Sequence, residues 1–264
     1  MAILNITPDS FADGGVRFDP DVAIRDGVRM AAEGADILDI GGESTRPGAA
    51  PLSSEEEWRR VAPVIEGLRA RVDLPLSIDT YKAVVAERAL DLGATIVNDV
   101  SALTYDPALA EVVARRRAAV VLMHNRGRSS DMYKFAEYGD VAAEVTRELG
   151  ESIRRAEAAG IAADRIIVDP GLGFAKRAEH TLEGLAHLSA LGGWGRPVLA
   201  GPSRKSFLKA ALGDVPSDRR VWGTAAAVTA SVLLGAHIVR VHDAGEMVQA
   251  ARVADAIRGA GGPF

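Results

Sequence analysis

The chain has 264 residues, 48% of them hydrophobic, with 31 Lys and Arg against 36 Asp and Glu, five His and no Cys. A net charge of −5 argues against a nucleic-acid partner, which calls for a basic face, and without cysteine there is neither a disulfide framework nor a thiolate metal site. No run approaches the ~20 apolar residues of a membrane span, and the Met1-Ala2-Ile3 start leaves no room for a secretory leader, so a cytoplasmic enzyme without a membrane partner is expected.

Short apolar runs at 2–6 (AILNI), 36–40 (DILDI), 75–79 (PLSID), 95–99 (TIVND), 119–124 (AVVLMH), 165–169 (RIIVD), 197–201 (PVLAG) and 237–241 (HIVRV) read as strands in chain order. Each is rich in Ile, Val and Leu without clean polar alternation, as expected of parallel strands covered on both faces. Helical patterns lie between them. Pro20 after Asp19 and Pro107 after Asp106 mark first turns, and Ser53 three residues before Glu56 forms a capping box. Val141, Val145, Leu149 and Ile153 make the stripe of an amphipathic helix. The Arg115–Arg117 run reads as a solvated helix end.

Eight such strand–helix units in 264 residues match a (β/α)₈ TIM barrel of class α/β, typically about 250 residues long. No linker or composition break divides the chain, so one domain over 1–264 is expected. The competing architecture is an open doubly wound sheet, which needs a point where strand order reverses.

In such a barrel the C-terminal strand ends form the active face. Those positions hold Asn5, Asp39, Asp79, Asn98 with Asp99, His124, Asp169, the Ser203-Arg204-Lys205 loop, and Arg240 with His242. Two groups separate by chemistry. Asp79, Asn98, Asp169 and Lys205 can hydrogen-bond the edges of a flat, nitrogen-rich heterocycle, because an unpaired partner in a dry pocket costs roughly 1–3 kcal/mol. Arg46, Arg204, Arg240 and His242, with Ser203 and Thr45, supply cationic forks and hydroxyls suited to phosphate or pyrophosphate. Asn5 offers a neutral oxygen to a hard cation such as Mg²⁺. Singly, each residue has a plainer reading: Asp79 as a helix N-cap, DPGLGF as a tight turn with left-handed residues, His124 as a core-edge histidine, and His180, His187 and His237 as structural or surface groups. Recurrence of such residues at one end of nearly every strand favours a site.

The segments Asn5-Ile6-Thr7-Pro8-Asp9-Ser10-Phe11 to Gly15 and Gly41-Gly42-Glu43-Ser44-Thr45-Arg46-Pro47-Gly48 resemble the two signature segments of the dihydropteroate synthase family, transferases of folate biosynthesis that sulfonamides target. The resemblance continues in order through Ser77-Ile78-Asp79-Thr80, Val97-Asn98-Asp99, Met123-His124, Asp169-Pro170-Gly171-Leu172-Gly173-Phe174, Ser203-Arg204-Lys205-Ser206 and Arg240-Val241-His242-Asp243. It implies a pterin-binding barrel that joins 6-hydroxymethyl-7,8-dihydropterin pyrophosphate to 4-aminobenzoate, giving 7,8-dihydropteroate and pyrophosphate. Under it, Asp79, Asn98, Asp169 and Lys205 hold the pterin with Arg240 beside the ring. Asn5, Thr45, Arg46, Arg240 and His242 hold the pyrophosphate, with Asn5 on Mg²⁺. Phe11, Pro47, Lys205 and Ser206 lie near 4-aminobenzoate, and Asp79, Lys205 and Arg240 carry the catalysis. The expected course is early departure of pyrophosphate, followed by attack of the neutral arylamine on a pterin cation.

Members of the family usually form homodimers through late helices, and Gly223–Gly235 (GTAAAVTASVLLG) fits either that role or an ordinary buried helix. Ala175 before Lys176 departs from a common Gly-Lys, and Thr181 stands where Asn is usual. The start at the first strand, without the leading segment of many relatives, is expected to leave the barrel floor less well plugged. Two other readings are a corrinoid-dependent methyltransferase barrel, which has no need of the GESTRPG, SRKS and Arg240/His242 groups, and a non-catalytic relative, which would lack charged pocket residues that are all present here.

Overall fold

The computed structural model describes residues 1–7, 19–45 and 48–261. Phe11, Arg46 and Pro47 lie outside them. The elements run β1 (Ala2–Asn5), α1 (Pro20–Ala32), β2 (Leu38–Gly41), α2 (Ser54–Arg69), β3 (Leu76–Asp79), α3 (Ala83–Asp91), β4 (Ile96–Asp99), α4 (Ala108–Arg116), β5 (Ala119–Met123), α5 (Val141–Ala158), β6 (Ile166–Asp169), α6 (Ala178–Ala186), β7 (Leu199–Ala200), α7 (Lys209–Leu212), α8 (Val221–Leu233), β8 (Ile238–Val239) and α9 (Ala244–Gly259). Among the described residues no helix is long and apolar enough to cross a membrane.

Strands β1 to β6 form one parallel sheet in sequence order, and β7 pairs with β8. Single bridges join Val168 to Val198 and Ala2 to Val241, both parallel, so the two sheets close into one ring. Strand order never reverses, which removes the doubly wound alternative and leaves a (β/α)₈ barrel.

The strands are buried on both faces, as the sequence predicts, with successive side chains alternating between two apolar environments at the bottom and an apolar and a polar one at the top. Leu4, Leu38, Ile40, Leu76, Ile78, Val97, Val120, Leu122, Ile166 and Val168 join the large cluster shared with the helices. The intervening residues point into the barrel, as the two-residue period requires. At the floor these are Met1, Ile96, Val121, Ile167 and Leu199, with Ile37, Ala119 and Ile238 against them. The floor is built from residues of the chain's own strands, Met1 being only 7% exposed. One step higher on the same faces stand Asp39, Asp79, Asn98, Asp169 and Arg240. Apolar burial below, at ~1.5–3 kcal/mol per large side chain, holds the polar ring above in place.

Two helix starts follow the sequence signals: the Asp19 carboxylate accepts from Asp21 N at 2.9 Å and Ser53 Oγ from Glu56 N at 3.2 Å. The Glu56 carboxylate turns to Arg59 and Arg60 instead of completing the capping box, and Asp140, which was not singled out from sequence, accepts from Ala143 N at 2.9 Å. Val141, Val145, Leu149 and Ile153 are buried along α5 as the stripe predicts.

Candidate active site

Arg240, just after β8, organises the mouth of the barrel. Its Nε donates to Asp39 Oδ2 at 2.6 Å and its Nη2 to Asp79 Oδ2 at 2.7 Å. Asn98 Nδ2 donates to the same Asp39 oxygen at 2.9 Å. Four strands are thus tied by one fork, whose pairs use two of the five guanidinium N–H groups. Burial alone would lower the Arg240 pKa, but the Asp39 and Asp79 charges raise it, so it stays a cation. Burial pushes the Asp79 carboxyl well above the usual carboxylate range, with Arg240 pulling the other way. A neutral, N–H-rich ring arriving here would meet acceptors already oriented and short of partners.

On the opposite side, burial raises Asp169 to about 6 while its Oδ1 accepts from Gly171 N at 2.7 Å. Burial and the Arg240 charge bring Lys205 down to about 7. The Lys205 ammonium lies 3.7 Å from the Phe174 ring centroid, a cation–π contact that leaves its N–H groups available. The predicted heterocycle group of Asp79, Asn98, Asp169 and Lys205 is therefore assembled around one opening.

The second predicted group is only partly assembled. His242 Nδ1 lies 3.0 Å from Ser203 Oγ, which also accepts from His242 N at 3.1 Å. Burial, helped by Arg240 and Arg204, holds His242 down to about 3, so it meets an anion as a neutral N–H donor rather than a cation. Arg204 does not join it. Its Nε donates to Asp243 Oδ2 at 2.9 Å and its Nη2 to the other carboxylate oxygen, which diverts the fork into a structural pair. Asn5 ends β1 and Thr45 lies within the loop after β2, both half-buried, and Ser206 is exposed at the start of a short 3₁₀ turn. Asp99 faces away from the barrel and accepts from Ser101 N, Ser101 Oγ and Leu103 N. Asp79 caps no helix, since the residue before α3 is Lys82.

Several residues were not identified from sequence. Asp39 was noted as a strand end, yet its role as the shared acceptor for Arg240 and Asn98 was not; the only signal was a lone carboxylate between Leu38 and Ile40. Arg220 donates to Val215 O at 2.8 Å and Arg204 O at 2.9 Å, shaping the loop that presents Lys205. That loop places Arg204 at φ +57°, a conformation costly outside glycine, and the Arg220 bonds offset the cost. Glu43 accepts from Tyr81 Oη at 2.9 Å, Leu52 N at 3.2 Å and Lys82 Nζ, and Lys82 also reaches Glu57. This network pins the base of the loop that carries Thr45.

The family model of the pterin binding enzyme matches residues 1–242. The chain belongs to that family. The dihydropteroate synthase of Synechocystis is 45% identical over 257 residues, covering 97% of this chain and 89% of its own. Among solved structures, the Xanthomonas albilineans dihydropteroate synthase with 4-aminobenzoic acid superposes with a TM-score of 0.91 at 47% identity, covering 97% of this chain and 92% of that one. The Yersinia pestis dihydropteroate synthase in complex with a sulfonamide drug gives 0.93 at 43%, covering 98% and 93%. Membership in the family accounts for the barrel. The departures within the family pattern are absorbed locally. Ala175 is buried at φ +47° with its carbonyl accepting from Tyr138 Oη at 3.0 Å, and Thr181 returns its hydroxyl to Arg177 O at 2.9 Å inside α6.

Proposed function

We propose that the protein acts as a dihydropteroate synthase, joining 6-hydroxymethyl-7,8-dihydropterin pyrophosphate to 4-aminobenzoate with release of pyrophosphate. The observation that carries this reading is the Arg240 fork, set between Asp39 and Asp79 on one side and facing His242 and Lys205 on the other. One cation thereby adjoins both a heterocycle pocket and an anion pocket, as a substrate made of a pterin bonded to pyrophosphate requires. Asp79, Asn98, Asp169 and Lys205 take the ring edges; Asn5, Thr45, Arg46, Arg240 and His242 take the pyrophosphate; Phe11, Pro47, Lys205 and Ser206 flank the arylamine.

In this mechanism the bond from the pterin methylene to oxygen breaks first. Arg240 and His242 stabilise charge on the departing oxygen, and the Asp79 charge stabilises the ring that becomes cationic. The arylamine then attacks as a neutral nucleophile. Mg²⁺ would supply further neutralisation of the pyrophosphate. Among the described residues no group of three or more His, Asp or Glu could hold a metal, and Asn5 offers one amide oxygen. That donor set suits an ion shared with the substrate's phosphates, a common mode for Mg²⁺. The cysteine-free composition suits a cytoplasmic setting.

A homodimer through α8 and α9 completes the proposal. The small-residue side of α8 is turned inward, burying Thr224, Ala227, Val228, Ser231 and Val232. Its start leaves Trp222 83% exposed, and α9 leaves Val253 60% exposed. A second copy would cover these side chains, and a Trp222→Glu variant that remains dimeric by light scattering would remove the proposed interface.

The reading is tested by pyrophosphate release from purified protein with Mg²⁺ and the dihydropterin pyrophosphate, with and without 4-aminobenzoate. Release that depends on both substrates, with dihydropteroate as product, is expected; pterin binding without release would favour the methyltransferase or non-catalytic alternatives. Competition by a sulfonamide with 4-aminobenzoate is expected in the same assay.

A further inference from the structure

Lys176 lies behind the pterin pocket, outside the ring of groups described above, and is almost fully buried at 3% exposure. The turn it supports is unusual: Gly171, Gly173 and Ala175 have φ of +66°, +78° and +47°. Alternating left-handed residues turn these carbonyls away from strand or helix partners; Gly171 O takes Phe174 N at 3.0 Å within the turn, and the other donors come from side chains. Tyr138 serves Ala175 O at 3.0 Å, while Lys176 Nζ serves Phe174 O at 3.1 Å and Gly171 O at 3.3 Å. The third N–H of Lys176 points at His124 Nδ1, 2.8 Å away. An ammonium has three donors and no acceptor. All three are therefore used, and Nδ1 must carry the lone pair.

That assignment fixes the rest of the chain. The His124 proton sits on Nε2, facing Glu148 Oε2 at 3.0 Å. Burial, together with the Lys176 charge, holds His124 down to about 4, so it is neutral and acts as an acceptor toward lysine and a donor toward glutamate. Burial would raise Glu148, but hydrogen bonds from His124 and Arg126 bring it to about 2, so it stays ionised. A neutral lysine could serve only two of its three acceptors.

We propose that Lys176, backed by His124 and Glu148, is a positioning residue for the pterin site: its ammonium fixes the 171–174 turn, and through that turn the Asp169 carboxylate and the Phe174 ring beneath Lys205. The pterin part rests on the function proposed above, whereas the effect on the turn stands on this geometry alone. Burial lowers Lys176 to about 7 and His124 to about 4, so the strut is complete between those values and is lost as pH rises through the upper one. The groups facing it are Asp169 after β6, His124 after β5, Arg126 and Tyr138 in the segment leading to α5, Glu148 on α5, and Lys205 after β7. Asp169 and Glu148 favour the charged form; Arg126 and Lys205 oppose it.

The test uses two variants and two readouts. Glu148→Gln keeps an acceptor for His124 but removes the charge that favours the ammonium; Lys176→Met removes the ammonium itself. Hydrogen-exchange protection of the Gly171 and Phe174 amides, both hydrogen-bonded here, is followed against pH in the unliganded protein, alongside the affinity for pteroic acid. Protection and affinity are expected to fall in the wild type as pH rises past neutrality, and at distinctly lower pH in Glu148→Gln. Lys176→Met is expected to bind roughly tenfold or more weakly, with those two amides unprotected. Wild-type protection of these amides in Lys176→Met, or an unmoved pH profile in Glu148→Gln, would overturn the strut. Should Lys176→Met not fold, Glu148→Gln still decides. Amides that behave as expected in a wild type that does not bind pteroic acid would uphold the strut and overturn the pterin function instead.

Discussion

Asp79 and Gly171 show how differently two residues of the same site resist change. Asp79 holds Arg240 through one oxygen at 2.7 Å, and Asn in its place keeps the shape and an acceptor while removing the charge. Asp79→Asn is therefore expected to leave the circular dichroism and melting temperature close to wild type while lowering turnover roughly a hundredfold, the scale of one lost electrostatic group. Turnover within a few-fold of wild type would exclude the role given to the carboxylate. Gly171 is constrained by space. Its φ is +66°, and a Cβ would stand 2.0 Å from the His124 carbonyl oxygen, which is backbone and cannot swing aside. Gly171→Ala is expected to cost about 3 kcal/mol or more, read in a denaturant titration, and to weaken pterin binding because Asp169 Oδ1 would lose its Gly171 N partner. Asp79 was legible in sequence because a strand end exposes it. The Asp39–Arg240 pair was not, because its partners are 201 residues apart in the chain.

At the scale of elements, local chemistry marked both kinds of helix end, the Asp19 and Ser53 caps at starts and the solvated Arg115–Arg117 run at the end of α4. The Asp19 and Ser53 caps belong to residues whose side chains reach their own helix, so neighbouring sequence suffices to find them. Asp106 does more than the Asp-Pro signal shows. Its Oδ1 accepts from Ala108 N at 3.1 Å at the start of α4, and its Oδ2 accepts from Ala83 N at 2.8 Å at the start of α3. Asp106→Ala thus uncaps two helices at once, with an expected loss of about 2 kcal/mol in thermal unfolding; a change no larger than that of a single exposed cap would show that the α3 contact contributes nothing. The strands at 197–201 and 237–241 proved shorter than their apolar runs. His237 N and Ile238 N both donate to Val198 O, at 2.8 and 3.1 Å, and a ladder with two donors on one acceptor slips out of regular register. Nothing in PVLAG or HIVRV announces that, since the irregularity belongs to the pair.

For the whole molecule, the number of strand–helix units was enough to anticipate closure, because consecutive parallel strands with short connections have few ways to bury both faces. The interior was harder to foresee, since its floor and mouth depend on which side chains share a level across separate strands. The cost of that polar interior should appear in the pH dependence of stability. His124 has an ordinary pKa of 6.5 when unfolded and about 4 when buried behind Lys176. Between those values the unfolded chain binds more protons, so His124 contributes stability that is present above pH 6.5 and is lost as pH falls toward about 4. His242 acts in the same direction, being held down to about 3. Asp169 opposes them: raised from 3.8 to about 6, it binds its proton more readily in the folded state, so acid favours folding over its window. Comparing wild type with a His124→Gln variant at each pH cancels the Asp169 contribution and leaves the histidine's. The stability difference in favour of wild type is expected to shrink by roughly 3 kcal/mol from neutral pH to pH 4, measured by urea titration. A difference that stays constant with pH would mean that His124 takes up its proton in the folded state at its ordinary pKa of 6.5, so that below that pH Nδ1 would carry a proton and deny Lys176 the acceptor on which the strut depends.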